Sequence, residues 1–244
     1  MNKKVFKRAV LVSAILTAGC DQSVDSTAEI VLPNKNPFPS TYAVPANPIF
    51  ALVDADILTG DGAEMTGTDL LIEGGKIIAM GVDLELPEGT QAIDMSGQWL
   101  TPGLIDVHSH MGVYPAPATS NHEDGNEMTA PVTAQVWAEH SVWPEDPQFE
   151  KALAGGVTTL QILPGSGNLI GGRGVTLKNI PALTVQGMKF PDAPYSLKMA
   201  CGENPKGYYG SLGMLPSTRM GNMAGYRAAW IEATGYKKSW DDYI

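Results

Sequence analysis

The feature that most constrains this chain is a short apolar run that ends in two histidines. The segment Leu100–His110 reads Leu-Thr-Pro-Gly-Leu-Ile-Asp-Val-His-Ser-His. Thr-Pro-Gly breaks the chain before the apolar residues, so the pattern predicts a β-strand that starts near Leu104. Side chains at i and i+2 of a strand point to the same face, so His108 and His110 can bind one metal ion. The alternative is that both histidines are ordinary surface or core residues.

The position of the two histidines at the C-terminal end of the strand favours the metal site, because (β/α) barrels assemble their active sites there. The segment Pro102–His110 resembles the first barrel strand of the amidohydrolase superfamily, whose members carry Pro-Gly-Leu-Ile-Asp-x-His-x-His. The resemblance implies an α/β fold, in which a small N-terminal β-sandwich precedes a (β/α)8 TIM-type barrel. It also implies hydrolysis of an amide or cyclic amide C–N bond by metal-activated water, with one or two divalent ions, most often zinc.

The region before this strand reads as a small β-domain. Short β-like runs occur at Phe50–Val53, Asp69–Glu73 and Lys76–Gly81, and Gly74-Gly75 has the spacing of a tight hairpin turn. These runs resemble the small sandwich that precedes the barrel in amidohydrolases. We therefore divide the chain into a signal peptide (1–19), a lipid-anchored tether (20–48), part of a β-sandwich (49–100) and the N-terminal part of the barrel (101–244).

The barrel region contains two loops that favour a binding role. The irregular residues 111–146, called the lid loop here, are long enough to predict a lid over the active-site mouth. A short helix is expected over Pro147–Ala154, and Val157–Leu163 is expected to form the second barrel strand. Gly165–Gly172, called the glycine loop, leads into a β-like run rather than a helix, which argues against a dinucleotide site. A substrate-facing loop is favoured over a purely structural turn.

Further metal ligands are suggested by the segment from Tyr195 to Lys206. It resembles the strand of imidazolonepropionase-like and prolidase-like amidohydrolases that carries a carboxylated lysine between two metals. By that resemblance Lys198, if carboxylated, bridges the metals, and Glu203 is the alternative carboxylate ligand. The alternative for Lys198 is an ordinary lysine at a strand end.

The chain lacks other residues that the family pattern needs. About 140 residues follow Leu104, whereas a whole barrel takes roughly 200 or more. Two later histidines and the late aspartate that acts as general base are absent, so the catalytic residue is unknown. We expect the N-terminal portion of a hydrolase, inactive alone, in preference to a degenerate relative. The rivals are a non-catalytic envelope lipoprotein that acts as a binding or assembly module, and a mononuclear hydrolase that uses His122 or His140.

The N-terminus predicts export and lipid anchoring. Four basic residues precede the apolar run Ala9–Ala18, which is typical of a signal peptide and too short to span a bilayer. Thr17–Cys20 resembles a bacterial lipobox, in which Cys20 would carry the lipid. We expect a protein of the cell envelope that faces the periplasm or the outer surface.

Charge and cysteine content limit the partners. The chain has 26 acidic and 16 basic residues, and four of the basic ones lie in the leader. Such an acidic chain disfavours nucleic acid and anionic lipid, so its membrane contact would be the lipid anchor alone. With Cys20 lipidated, Cys201 has no intrachain partner for a disulfide. The expected partner is a small amide or dipeptide-like substrate, and a homo-oligomer is left open.

Overall fold

Two β-sheets organise the computed structural model, which describes residues 32–244. The predicted signal peptide and Cys20 lie outside the described residues. The first sheet is built from the β-domain and the second from the barrel region. The predicted α/β class is therefore confirmed.

The first sheet has the strand order β3-β2-β1-β4, and β5 also pairs with β1. The β2–β3 hairpin turns at Gly74-Gly75 as predicted, and both glycines adopt positive φ angles there. Ala55, Ile57 and Leu70 form its small core. Within residues 32–244 the predicted sandwich is present as this single sheet. Its strands are β1 (Phe50–Leu58), β2 (Glu64–Glu73), β3 (Lys76–Gly81), β4 (Gln91–Asp94) and β5 (Trp99–Leu100).

The second sheet has the order β6-β7-β8-β9. Its strands are β6 (Leu104–Ser109), β7 (Val157–Ile162), β8 (Ile170–Lys178) and β9 (Ser196–Met199). β6 and β7 are parallel, as the barrel prediction requires. β8 runs antiparallel to both β7 and β9, which differs from the all-parallel strand arrangement of a TIM-type barrel. The connection from β7 to β8 is too short for a crossover helix, so the chain can only reverse direction.

The barrel region also contains helices beside the strands of the second sheet. They are α1 (Pro147–Ala154), α2 (Val185–Met188), α3 (Glu203–Ser211) and α4 (Arg219–Tyr243), and a 3₁₀ turn spans Ala138–His140. The bounds of α1 match the prediction: Asp146 accepts a hydrogen bond from the Gln148 backbone N–H at 3.0 Å, and Gly155 ends the helix. Among residues 32–244, no helix has the length and apolar character that a membrane span requires.

The main core lies between the second sheet and its helices. Leu160, Ile162, Val175, Leu177 and Met188 are almost completely buried in it. Burial of these side chains fixes which face of β7 and of β8 points into the core. The loops that begin at the ends of these strands are therefore held at fixed positions.

Residues 36–42 differ from the tether prediction. The Phe38 ring packs edge-on against His140 at 4.6 Å, and the Thr41 backbone N–H donates to the Gln186 carbonyl at 2.9 Å. The Lys189 ammonium donates to the Phe38 carbonyl and to Glu139. Composition alone predicted an extended segment here. It could not indicate these contacts, because the partner residues lie about 100 positions or more away in the sequence.

Candidate metal centre

The two predicted histidine ligands lie at the C-terminal end of β6. His108 and His110 are separated by one residue, and their ring centroids are 5.2 Å apart. Strand alternation places both rings on one face of the sheet, as the sequence predicts.

Lys198 reaches the same point from β9. Its Nζ lies 3.0 Å from His108 Nε2, although β6 and β9 are the opposite edges of the four-stranded sheet. Long side chains from both edges therefore meet over one face of the sheet. Lys198 is only 8% exposed, which is unusual for a lysine that, among the described residues, forms no salt bridge.

The hydrogen bond of His110 leaves its other ring nitrogen available as a metal ligand. His110 Nδ1 lies 2.8 Å from the Leu163 carbonyl oxygen. Because a carbonyl oxygen only accepts, Nδ1 carries the proton, and the Nε2 lone pair of His110 is free. Metal-binding histidines commonly donate their second N–H to a carbonyl in this way.

The electrostatics favour neutral forms of both bases. Burial lowers the pKa of the Lys198 amine. The positive charge of Lys198 is the largest influence on His108 and lowers its pKa, an effect that burial and His110 reinforce and Asp106 opposes. A neutral imidazole is the form that binds a metal ion, and a neutral amine is the form that reacts with CO2 to give a carbamate.

These residues fit a divalent metal ion. Two imidazoles and a carbamate on Lys198 would offer nitrogen and oxygen ligands of the type that zinc accepts. The structure brings Lys198 to His108, whereas Glu203 begins α3 with an exposed side chain. Residues 32–244 contain no group of three His, Cys, Asp or Glu side chains placed to hold a metal.

The remaining histidines contact aromatic residues elsewhere. The His122 ring lies 5.2 Å from that of Trp143, and the His140 ring lies 4.6 Å from that of Phe38. Neither supplies a third ligand beside His108 and His110 in the described part of the chain.

An open cleft of about 420 Å³ lies beside His110. The lid loop contributes Tyr114, Asn126 and Met128, and the glycine loop contributes Gly165–Gly167. Asn204 and Tyr208 of α3 complete the lining. Residues of both predicted binding loops thus lie next to a predicted metal ligand.

Backbone hydrogen bonds hold the lid loop on the strand and loop next to it. The Gly165 N–H donates to the Gly125 carbonyl at 2.7 Å, and the Arg173 N–H donates to the Val136 carbonyl at 2.8 Å. The Gly167 N–H donates to Asn126 Oδ1 at 3.0 Å. The part of the lid loop beside His110 is therefore anchored at several points.

Sequence reasoning did not single out Tyr114, Asn204 or Tyr208 as cleft residues. Asn126 belongs to a polar patch of the lid loop, which was the one signal available. Tyr114 carries no motif of its own, and its place in the cleft depends in part on Asn126, which lies 12 positions away.

The chain is similar in sequence and fold to known proteins. An amidohydrolase from Thermotoga maritima MSB8 superposes with a TM-score of 0.73 at 38% identity, and the match covers 79% of this chain and 49% of that chain. An amidohydrolase from Hapsidospora irregularis is 35% identical over 208 residues, or 80% of this chain and 21% of its own length. An imidazolonepropionase from Colwellia psychrerythraea is 29% identical over 164 residues, 57% of this chain and 38% of its own.

This chain thus spans half or less of the length of these relatives. No family model matches it. The sequence likeness and the superposition nevertheless extend over about four fifths of the chain, from the β-domain into the barrel region. The chain belongs to the amidohydrolase superfamily.

Proposed function

We propose that this chain forms part of a metal-dependent hydrolase that cleaves the C–N bond of a small amide or cyclic amide. The observation that carries the proposal is the 3.0 Å approach of Lys198 Nζ to His108 Nε2 at the end of β6. In a protein with an ordinary surface lysine, that amine would extend into solvent. Here it is buried against a histidine that shares its strand face with a second histidine.

Each residue has a separate role in the proposed site. His108 and His110 would hold the metal, and the Leu163 carbonyl orients the His110 ring. The Lys198 amine, in its neutral form, adds to CO2, loses a proton and becomes a carbamate with two ligand oxygens. A bound divalent ion supplies a water of lowered pKa and polarises the substrate carbonyl.

Hydrolysis also needs a group that moves the proton to the leaving nitrogen. In the family an aspartate does this, and the sequence of this chain offers no residue that matches it. Full hydrolytic activity would therefore require a general base and further metal ligands in addition to His108, His110 and Lys198.

The names of related proteins indicate which substrates to test. These relatives include proteins named dihydroorotase, imidazolonepropionase, prolidase and D-hydantoinase. The experiment measures hydrolysis of dihydroorotate, imidazolonepropionate, hydantoin and an Xaa-Pro dipeptide by the zinc-loaded chain. A chelated sample and the His108→Ala/His110→Ala variant are the controls.

We expect the wild type to hold zinc that the double variant loses, and to hydrolyse these substrates slowly or not at all, because the general base and further ligands are not among the residues assigned to the site. Any hydrolysis should depend on zinc and disappear in the double variant. Hydrolysis that survives in the double variant contradicts the assigned site. A zinc-free chain that hydrolyses none of them favours the binding or assembly module.

We also propose that the protein is lipid-anchored at Cys20 and faces the periplasm or the outer surface. The support is the basic and apolar leader followed by Thr-Ala-Gly-Cys. Radiolabelled palmitate should be incorporated by the wild-type protein in a bacterial host and not by Cys20→Ser. Incorporation by both forms would place the lipid elsewhere.

A further inference from the structure

Tyr114 occupies the cleft beside His110 without a role in metal binding. Its ring lies edge-on to the His110 ring, with the centroids 5.7 Å apart, and 36% of the residue is exposed. We infer that Tyr114 is a substrate-binding residue whose hydroxyl donates a hydrogen bond to an uncharged acyl oxygen of the ligand. This inference rests on the proposed function, because the ligand is the amide held next to the metal.

The direction of the hydroxyl follows from its partner. The Asn126 amide nitrogen donates to the Tyr114 oxygen. Asn126 is itself held, because its Oδ1 accepts the Gly167 N–H at 3.0 Å. The Tyr114 oxygen is thus used as an acceptor, and among the described residues it has no other hydrogen-bond partner. Its own proton is available to an acceptor in the cleft.

Close packing fixes the ring in this position. A Cβ atom at Gly125 would lie 2.2 Å from the Tyr114 ring, and one at Gly165 would lie 2.7 Å from its hydroxyl. Only glycine allows the lid loop and the glycine loop to approach the tyrosine this closely. The donor is therefore held in place before a ligand binds, which reduces the entropy lost on binding.

The chemistry of the lining indicates what the donor binds. The side chains around Tyr114 in the cleft are amide, hydroxyl, imidazole and thioether groups, and none is Asp, Glu, Lys or Arg. A carboxylate placed beside Tyr114 would lose water without a cationic side chain of the lining to pair with. An uncharged carbonyl oxygen needs only a neutral donor, which Tyr114 supplies.

The test measures binding of acetohydroxamate, a small neutral probe that binds zinc, to the zinc-loaded full chain by calorimetry. Tyr114→Phe keeps the ring and removes the donor, so we expect Kd to rise about fivefold, the size of one neutral hydrogen bond. Zinc content and thermal midpoint should stay at the wild-type values. Tyr236→Phe, which removes an exposed hydroxyl of α4 outside the cleft, should leave Kd at the wild-type value.

A second variant separates binding from lid anchoring. Asn126→Ala breaks the same contact but leaves the tyrosine hydroxyl, so its effect should be smaller than that of Tyr114→Phe. Equal losses in the two variants, or an unchanged Kd in Tyr114→Phe, would overturn the inference and leave the metal site standing. A wild-type chain that holds zinc but does not bind the probe would also overturn it. A wild-type chain that holds no zinc would overturn the proposed function and this inference together.

Discussion

Lys198 is the residue that most clearly separates a metal site from an ordinary strand end. Two nitrogen bases, the Lys198 amine and the His108 imidazole, lie 3.0 Å apart, and within residues 32–244 Lys198 forms no salt bridge with a carboxylate. Such an arrangement is unfavourable when both are protonated and favourable when the lysine is a carbamate on a shared metal. The geometry therefore accords with a lysine that is modified in the working protein.

This modification can be detected directly. The zinc-loaded chain incubated with ¹³C-bicarbonate should show a lysine carbamate resonance in its NMR spectrum. Lys198→Met should lose the resonance, and Lys206→Met, a matched change close by in the same segment, should keep it. A carbamate signal in Lys198→Met would assign the modification to another lysine.

The buried ion pair between Lys189 and Glu139 leads to a prediction about stability. Both residues are 3% exposed, and Lys189 Nζ lies 2.9 Å from Glu139 Oε2. Lys189→Met leaves the Glu139 carboxylate buried, with the Tyr195 hydroxyl as its remaining side-chain donor in the described part of the chain. We expect the free energy of unfolding to fall by roughly 3–5 kcal/mol in chemical denaturation.

The exposed pair Lys237–Asp241 provides the control, since it joins positions i and i+4 of α4. Lys237→Met should change the free energy of unfolding by less than about 0.5 kcal/mol. Similar losses in the two variants would contradict the assigned difference in burial. The double variant Lys189→Met/Glu139→Gln should recover part of the loss, because it removes both buried charges.

β8 determines how the lid loop is placed. It carries Gly172 at φ +114°, where a Cβ atom would lie 2.7 Å from the Val136 carbonyl oxygen of the lid loop. β8 also accepts backbone hydrogen bonds from the lid loop. The Thr133 N–H, for example, donates to the Ile170 carbonyl at 2.8 Å. The anchoring of the lid loop thus depends on a glycine in an otherwise regular strand.

Gly172→Ala should therefore destabilise the fold. The methyl group meets backbone atoms that cannot turn away, and the positive φ adds strain, so we expect a loss of about 2–4 kcal/mol in denaturant unfolding. Gly207→Ala in α3 is the matched control. Nothing lies within 4 Å of its Cβ position, so it should be neutral or gain up to about 1 kcal/mol. A neutral result for Gly172→Ala would contradict the close approach.

Local signals explain the elements that were predicted well. Proline at the first turn, the Asp146 cap and Gly155 at the end define α1, and all three lie within ten residues. The period of two in a strand placed His108 and His110 on one face. Lys198 was found only through its resemblance to a family strand, because nothing in its neighbours points to a metal.

There is a physical reason why the sequence did not predict the direction of β8. Its apolar pattern reads as a strand in either direction, and only the short connection from β7 forces the antiparallel arrangement. Tyr114 was missed because its position follows from packing against Gly125 and Gly165, which lie 11 and 51 positions away in the sequence.

The outer side of β6 affects the behaviour of the whole molecule. β6 is an edge strand of the second sheet, and Leu104, Ile105 and Val107 are 57%, 66% and 68% exposed. An apolar edge strand with free backbone groups favours association with another chain.

We expect the purified chain to self-associate at micromolar concentration, as measured by sedimentation velocity. Ile105→Lys should shift the distribution towards the monomer, because it places a charge on the exposed edge. Leu183→Lys changes a leucine that is 93% exposed in a loop and should leave the distribution as it is. A monomeric wild-type chain would contradict this expectation.

We propose that His108, His110 and Lys198 together hold a metal ion. Elemental analysis can measure the zinc bound to the chain from Asp21 onward, after dialysis against a weak chelator. We expect at least one equivalent of zinc in the wild type, a reduced amount in Lys198→Met and none in His108→Ala/His110→Ala. Equal zinc in all three, or none in the wild type, would contradict it.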